Sequence, residues 1–199
     1  DVGETSEISN MIQDIERQFG RLDILVNNAG VTRAADIMEL TEADWDKIHR
    51  VNAKGVFFCL QNAAKQMIEQ GNGGRIINIA SIAGRGFSGT SNAAYSASKG
   101  AVISLTRTAA QQLAKHDITV NSICPGVTTT EIVEGLVKTR AEARGISVEA
   151  IVKEMTDNIP LKRANEPEDI AAMAIFLASS GARNITGQSY NVDGGLVTS

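Results

Sequence analysis

A chain of 199 residues with 43% hydrophobic side chains is long enough to enclose one compact core and short for two. Nineteen Lys and Arg against 23 Asp and Glu leave a net charge of −4 without a basic block, which speaks against a nucleic-acid partner. No apolar run approaches the roughly 18 residues of a membrane span, and the opening DVGETSEISN is acidic and polar where an export signal is basic and then apolar, so the expectation is a cytoplasmic protein off the membrane.

Ile8, Met11, Ile15 and Phe19 recur at three- and four-residue steps, the signature of one apolar helix face, and Gly20 stands where a helix stops. Leu22 to Val26 (LDILV) is a short apolar run of the kind buried on both sides in a parallel sheet, and it ends in NNAG. Thr41 and Asp44 form a helix-starting cap for a long helical stretch through Trp45, Ile48, Val51, Phe57 and Leu60 to the GNGG turn at Gly71 to Gly74. Arg75 to Ala80 follows as a strand, Ala94 to Lys115 as a long helix, and Ile118 to Cys124 as a strand broken by Pro125 and Gly126. Glu131 to Asp157 is charged and helical in parts. Pro167 opens a helix to about Ala178, and Ser189 to Val192 is a last strand before Asp193-Gly194-Gly195.

Strands separated by helices of this length require parallel crossovers, hence an α/β sheet with helices on both faces. Ligands of such sheets bind at the carboxyl ends of the strands. NNAG, Ser81 and Pro125-Gly126 each follow a strand, so three distant segments are expected to meet in one crevice, with the Tyr95 helix beginning beside them. The two cysteines, Cys59 and Cys124, have neither metal-ligand spacing nor a disulfide pattern, and His49 and His116 lack acidic or cysteine partners, so no metal is expected.

Tyr95 and Lys99, in YSASK, lie one helical turn apart and share a face. A phenol with a pKa of about 10 is a poor base at neutral pH, and an adjacent ammonium favours its phenolate. Ser81, 14 residues earlier in NIAS, offers a hydroxyl to steady a substrate oxygen against that phenol. Asn52, in VNAKG, interrupts an apolar helical stretch with an amide suited to a helix bend. Each has an ordinary alternative: a turn serine, a satisfied asparagine, an incidental Tyr/Lys pair. Only the ordered set is specific.

NNAG at Asn27 to Gly30, VNAKG, NIAS, YSASK, PGVTTT from Pro125 and NVDGG from Asn191, in that order and spacing, resemble the short-chain dehydrogenase/reductase family. The resemblance implies a Rossmann-like doubly wound parallel sheet and an NAD- or NADP-dependent enzyme moving hydride between the nicotinamide and a small alcohol or ketone. It gives Tyr95 the acid/base role and Ser81 substrate positioning. Lys99 lowers the tyrosine pKa and holds the nicotinamide ribose, and Asn52 anchors a relay water. Cofactor contacts carry over to Asn28, Ala29 and Gly30 in the adenosine and ribose region, to Pro125, Gly126, Thr128 and Thr130 at the nicotinamide end, and to Asp1 and Val2 beside the adenine; Asn28 and Gly30 also read as a plain strand-to-loop turn.

Family members open with a strand, a glycine-rich turn, a helix and a second strand, and none of these precedes LDILV here. The expectation is therefore a fragment of a domain of about 250 residues, inactive as it stands, with exposed edges and apolar faces around LDILV and with NAD against NADP left open. The amphipathic segment Glu131 to Pro160 has the pattern of a lid over a cleft. The later stretches look like those of bacterial diol and sugar-alcohol dehydrogenases and of 3-oxoacyl-carrier-protein reductases, which favours a small polyol or hydroxy-ketone. A noncatalytic binding module is the alternative of another class, and the resemblance implies a homotetramer joined through Thr41 to Gln70 and Ala94 to Lys115.

Overall fold

The computed structural model describes residues 1–87 and 91–198, with the side chains of 131 and 132 left aside. Four parallel strands form one sheet in the order β1 (Ile24–Asn27), β2 (Gly74–Ile79), β3 (Ile118–Pro125) and β4 (Ser189–Val192). Among the described residues, seven α-helices connect and cover them: α1 (Thr5–Phe19), α2 (Glu42–His49), α3 (Val56–Gln70), α4 (Ala93–Leu113), α5 (Glu131–Arg144), α6 (Val148–Asp157) and α7 (Pro167–Ala178). This is the expected α/β architecture, Rossmann-like and parallel throughout.

The pleat sorts the strands' side chains into two layers. Leu25, Ile76, Ile118 and Val120 face α1, α3 and α4, packing with Ile12, Leu60, Ala63, Met67 and Ala110. Ile77 and Ile123 face α7 and pack with Leu177 and Ala182. Polar residues cross the sheet within the first layer. Asn27, Asn78, Ser122 and Ser189 are register partners; Asn27 donates to Asn78 Oδ1 at 2.9 Å, Asn78 to Thr106 Oγ1 at 3.0 Å, and Ser122 to Ser189 Oγ at 2.7 Å. Buried polar groups of this kind are stable because each finds a partner.

Two departures from the sequence reading have local causes. The LDILV strand begins at Ile24, because the Gln70 side chain takes both backbone groups of Leu22, accepting from its N–H at 2.8 Å and donating to its carbonyl at 2.9 Å. The run is also buried on one face only: Ile24 and Val26 are 46% and 43% exposed, since β1 is the edge strand and α7 packs over β2 and β3. The long helix from Thr41 is divided. Thr41 caps α2 reciprocally with Asp44, and residues Arg50–Gly55 widen into a π-helical turn around Asn52 before α3 resumes. An amide in the middle of a helix, pulled toward a partner outside it, accounts for that bulge.

Candidate active site

The crevice lies at the carboxyl ends of β1, β2 and β3. A cavity of about 530 Å³ there is bordered by Asn28 and Gly30 after β1, by Ser81 after β2, by Pro125, Gly126, Thr128 and Thr130 at the end of β3 and beyond it, and by Tyr95 and Lys99 of α4. Nine of the residues singled out in the sequence thus share one wall system, although they come from four separate segments.

The loop after β2 seats the tyrosine helix. Ser81 is extended and accepts from Ala83 N–H at 3.1 Å, starting a short 3-10 turn, Ile82–Arg85. Gly84 then meets α4 backbone to backbone: a Cβ there would stand 2.6 Å from the Lys99 carbonyl carbon and 2.7 Å from Gly100 N. No larger residue fits without separating Ser81 from the Tyr95/Lys99 face. At the far wall Gly126 is held equally close, 2.7 Å from Asp193 Cβ by the same measure, so the PG turn and the NVDGG turn are one packed unit. Asp193 fastens that unit by accepting from Gly195 and Val197 N–H at 2.9 and 2.8 Å.

Lys99 is buried, 3% exposed, and its Nζ donates to the Ile79 carbonyl at 2.7 Å while standing 5.6 Å above the Tyr95 ring. Burial disfavours the ammonium and brings its pKa down to about 8. Tyr95 also responds mainly to burial, which raises its pKa, with the Ser81 hydroxyl pulling it partly back. The ammonium expected to lower the phenol thus stands over the Tyr95 ring while its Nζ is turned to the Ile79 carbonyl.

Asn52 lies behind the cavity wall, fully buried. Its amide clamps Val31, accepting from the N–H at 2.8 Å and donating to the carbonyl at 2.9 Å, and it donates to Ser98 Oγ at 3.2 Å. Ser98 in turn donates to the Tyr95 carbonyl at 2.7 Å. Asn52 therefore ties the loop after NNAG to the tyrosine helix. Ala29 does not border the cavity, and Asp1 and Val2 lie outside it, with Val2's carbonyl packed where a Cβ on Gly55 would come within 2.6 Å.

Several bordering residues had no signal of their own in the sequence. Thr32 and Ser91 add hydroxyls beside Tyr95; Val133, Leu136 and Met155 descend from α5 and α6, and Ile170, Ala171 and Ala174 come from α7. In the segment expected as a lid, α5 and α6 border the cavity. Val137, Ala141 and Ile151 join α5 to α6, while Leu136 turns to the cavity. Among the described residues no group of three or more His, Cys, Asp or Glu is placed to hold a metal, and no helix is long and apolar enough to cross a membrane.

The enoyl-(acyl carrier protein) reductase family matches residues 1–197. The chain belongs to the short-chain dehydrogenase/reductase family. Within it, the 3-oxoacyl-acyl-carrier-protein reductase of Staphylococcus epidermidis is 41% identical over 196 residues, 98% of this chain and 75% of that one. Sorbitol-6-phosphate 2-dehydrogenase from Erwinia amylovora superposes with a TM-score of 0.93 at 36% identity, covering 100% of this chain and 78% of its own. An NAD+-bound xylitol dehydrogenase gives a TM-score of 0.89 at 32% identity, over 98% of this chain and 76% of its own. The short-chain dehydrogenase/reductase assignment makes the protein an oxidoreductase.

Proposed function

We propose that this short-chain dehydrogenase/reductase transfers hydride between NAD or NADP and a secondary alcohol or ketone, with a small diol, polyol or hydroxy-ketone as substrate. The observation that carries it is the convergence of Ser81, Tyr95 and Lys99 on one cavity at the carboxyl ends of the strands. The cavity suits a nicotinamide nucleoside: Lys99 has three N–H donors and, among the described residues, the Ile79 carbonyl as its one acceptor, leaving two donors for ribose hydroxyls. Asn28, Gly30, Pro125, Gly126, Thr128 and Thr130 would border the bound cofactor, with Ala29, Asp1 and Val2 toward the adenosine. A nicotinamide held there supplies or accepts the hydride.

The chain's own residues handle the proton. Ser81 bonds the substrate oxygen and holds it at the Tyr95 phenol, which gives a proton to a forming alkoxide or takes one from an alcohol. Lys99 keeps positive charge beneath the ring, favouring phenolate when Tyr95 has released its proton. Asn52 fixes the loop and helix that frame this exchange, the place where the family's relay water would sit. The lid walls of Val133, Leu136 and Met155 exclude bulk water from the reacting oxygen.

A 3-oxoacyl thioester is the second reading, supported by the 41% identity to the staphylococcal reductase and by the apolar lid. The test follows nicotinamide absorbance with both cofactors against diols, sugar alcohols and a 3-oxoacyl thioester, using the chain as it stands and the chain extended upstream through a glycine-rich turn. Turnover of polyols is expected. Turnover of the thioester alone would favour the second reading, and turnover of neither would favour a noncatalytic binding role. In the active form, Tyr95→Phe is expected to retain cofactor binding and lose about a hundredfold or more in kcat; undiminished turnover would refute the assigned acid/base.

A further inference from the structure

We infer that the Thr32 and Ser91 hydroxyl pair reads a second oxygen of the substrate. This rests on the hydride-transfer reading above and goes on to name what selects its substrate. The direction of the Asn92 hydrogen bonds follows from one fixed point. The Tyr95 backbone N–H can only donate, and it donates to the Asn92 side chain at 2.8 Å, so the atom it meets is Oδ1 and the other is the NH2 group. That NH2 has two hydrogens and two acceptors: the Arg33 carbonyl at 2.7 Å and, at a longer 3.4 Å, Thr32 Oγ1. Thr32 Oγ1 thus accepts from Asn92. Thr32 Oγ1 and Ser91 Oγ lie 2.6 Å apart, and the two hydroxyls share one hydrogen bond. Whichever of them donates it, one O–H of the pair is left with no further partner among the described residues.

Thr32 and Ser91 both border the cavity that holds Ser81 and Tyr95. The opposite wall is apolar, formed by Val133, Leu136, Met155, Ile170 and Ala174. Thr128, on the PG side, donates to the Gly126 carbonyl at 3.2 Å, and Thr130, at the start of α5, accepts from Val133 N–H at 3.4 Å. The spare O–H of the Thr32 and Ser91 pair therefore faces a largely apolar lid, and the ligand group that satisfies it is an acceptor oxygen on a carbon other than the one that reacts. A diol or hydroxy-ketone brings such an oxygen. A monofunctional alcohol leaves that donor unmatched when the lid excludes water, a loss of the size of one hydrogen bond.

The experiment compares kcat/KM for a vicinal diol and for the monofunctional secondary alcohol of equal chain length in the active protein, in Ser91→Ala and in Ser91→Thr. The unmodified protein is expected to prefer the diol. Ser91→Ala is expected to lower the diol-to-alcohol ratio about five- to tenfold, mainly through KM, and Ser91→Thr, which restores a hydroxyl, to recover most of it. Thr32→Val, which removes the other hydroxyl of the pair, is also expected to lower the ratio. Turnover of both substrates with an unchanged ratio in both Ser91→Ala and Thr32→Val overturns the assignment to this pair and leaves hydride transfer intact. No turnover of either alcohol by the unmodified protein with either cofactor would overturn the hydride-transfer reading, and this inference with it.

Discussion

Lys99 carries the largest electrostatic cost of any single residue in the crevice, because an ammonium almost out of contact with water has one protein acceptor. Its pKa falls from 10.5 to about 8. Between those values the unfolded chain binds the proton more readily than the folded one, so this group's contribution to stability rises as pH climbs from about 8 to 10.5, and its burden is full below about 8. Urea unfolding of the protein and of Lys99→Met, compared across that window, should show the difference moving in favour of the unmodified chain as pH rises. A flat difference would mean that the lysine reaches water. Tyr95 moves the other way: its raised pKa makes the folded state lose stability above pH about 10, so the comparison is read below that pH. The cost is consistent with function, since the two N–H donors left over are those assigned to ribose.

Between the residues and the fold stand the elements that aim them. The Tyr95 helix is positioned from three directions: its N-cap Asn92 reaches the Arg33 carbonyl, Ser98 meets Asn52, and Gly84 admits the turn after Ser81 to van der Waals distance. Asn92 and Asn52 together also hold the backbone from Val31 to Arg33, which Arg33 fastens again to Asp44 at 2.6 Å. Gly84→Ala is expected to be destabilising by about 1–3 kcal/mol, since both contacting atoms are backbone and cannot swing away. It should also lower kcat by moving Ser81 relative to Tyr95. The check is denaturation alongside single-turnover kinetics, and an unchanged kcat would show that the turn relaxes without transmitting the displacement. Gly86, where nothing stands within 4 Å but φ is +91°, is a control of another kind: its alanine variant suffers backbone strain without a clash.

At the scale of the whole molecule, apolar surface remains on the helices expected to join subunits. Trp45 of α2 and Phe57 of α3 are 47% and 40% exposed. We expect a homo-oligomer through this face, seen by light scattering, and Phe57→Asp to shift it toward smaller species; a monomer in the unmodified protein would end that expectation. The order of strands and helices, the helix stop at Gly20, the bend at Asn52 and nine residues of the crevice could be read along the chain, because periodicity, turn chemistry and the ordered motifs are local properties. Even so, LDILV was legible as a strand with an exposed edge, but not which of its residues would be exposed, since exposure of Ile24 and Val26 depends on how far α7 reaches across the sheet. The lid was legible as amphipathic, but which of its apolar residues turn inward was not: Leu136 and Val137 are adjacent, and only packing of α5 on α6 sends one to the cavity and the other to the core. Sequence by itself determined the fold class and the identity of Ser81, Tyr95 and Lys99. Tertiary structure alone decided that Lys99 bonds the Ile79 carbonyl, that Asn52 clamps Val31, and that Thr32 and Ser91 share the cavity. Those contacts join segments distant along the chain, and their direction is set by burial and by the count of donors and acceptors, neither of which is written in local order.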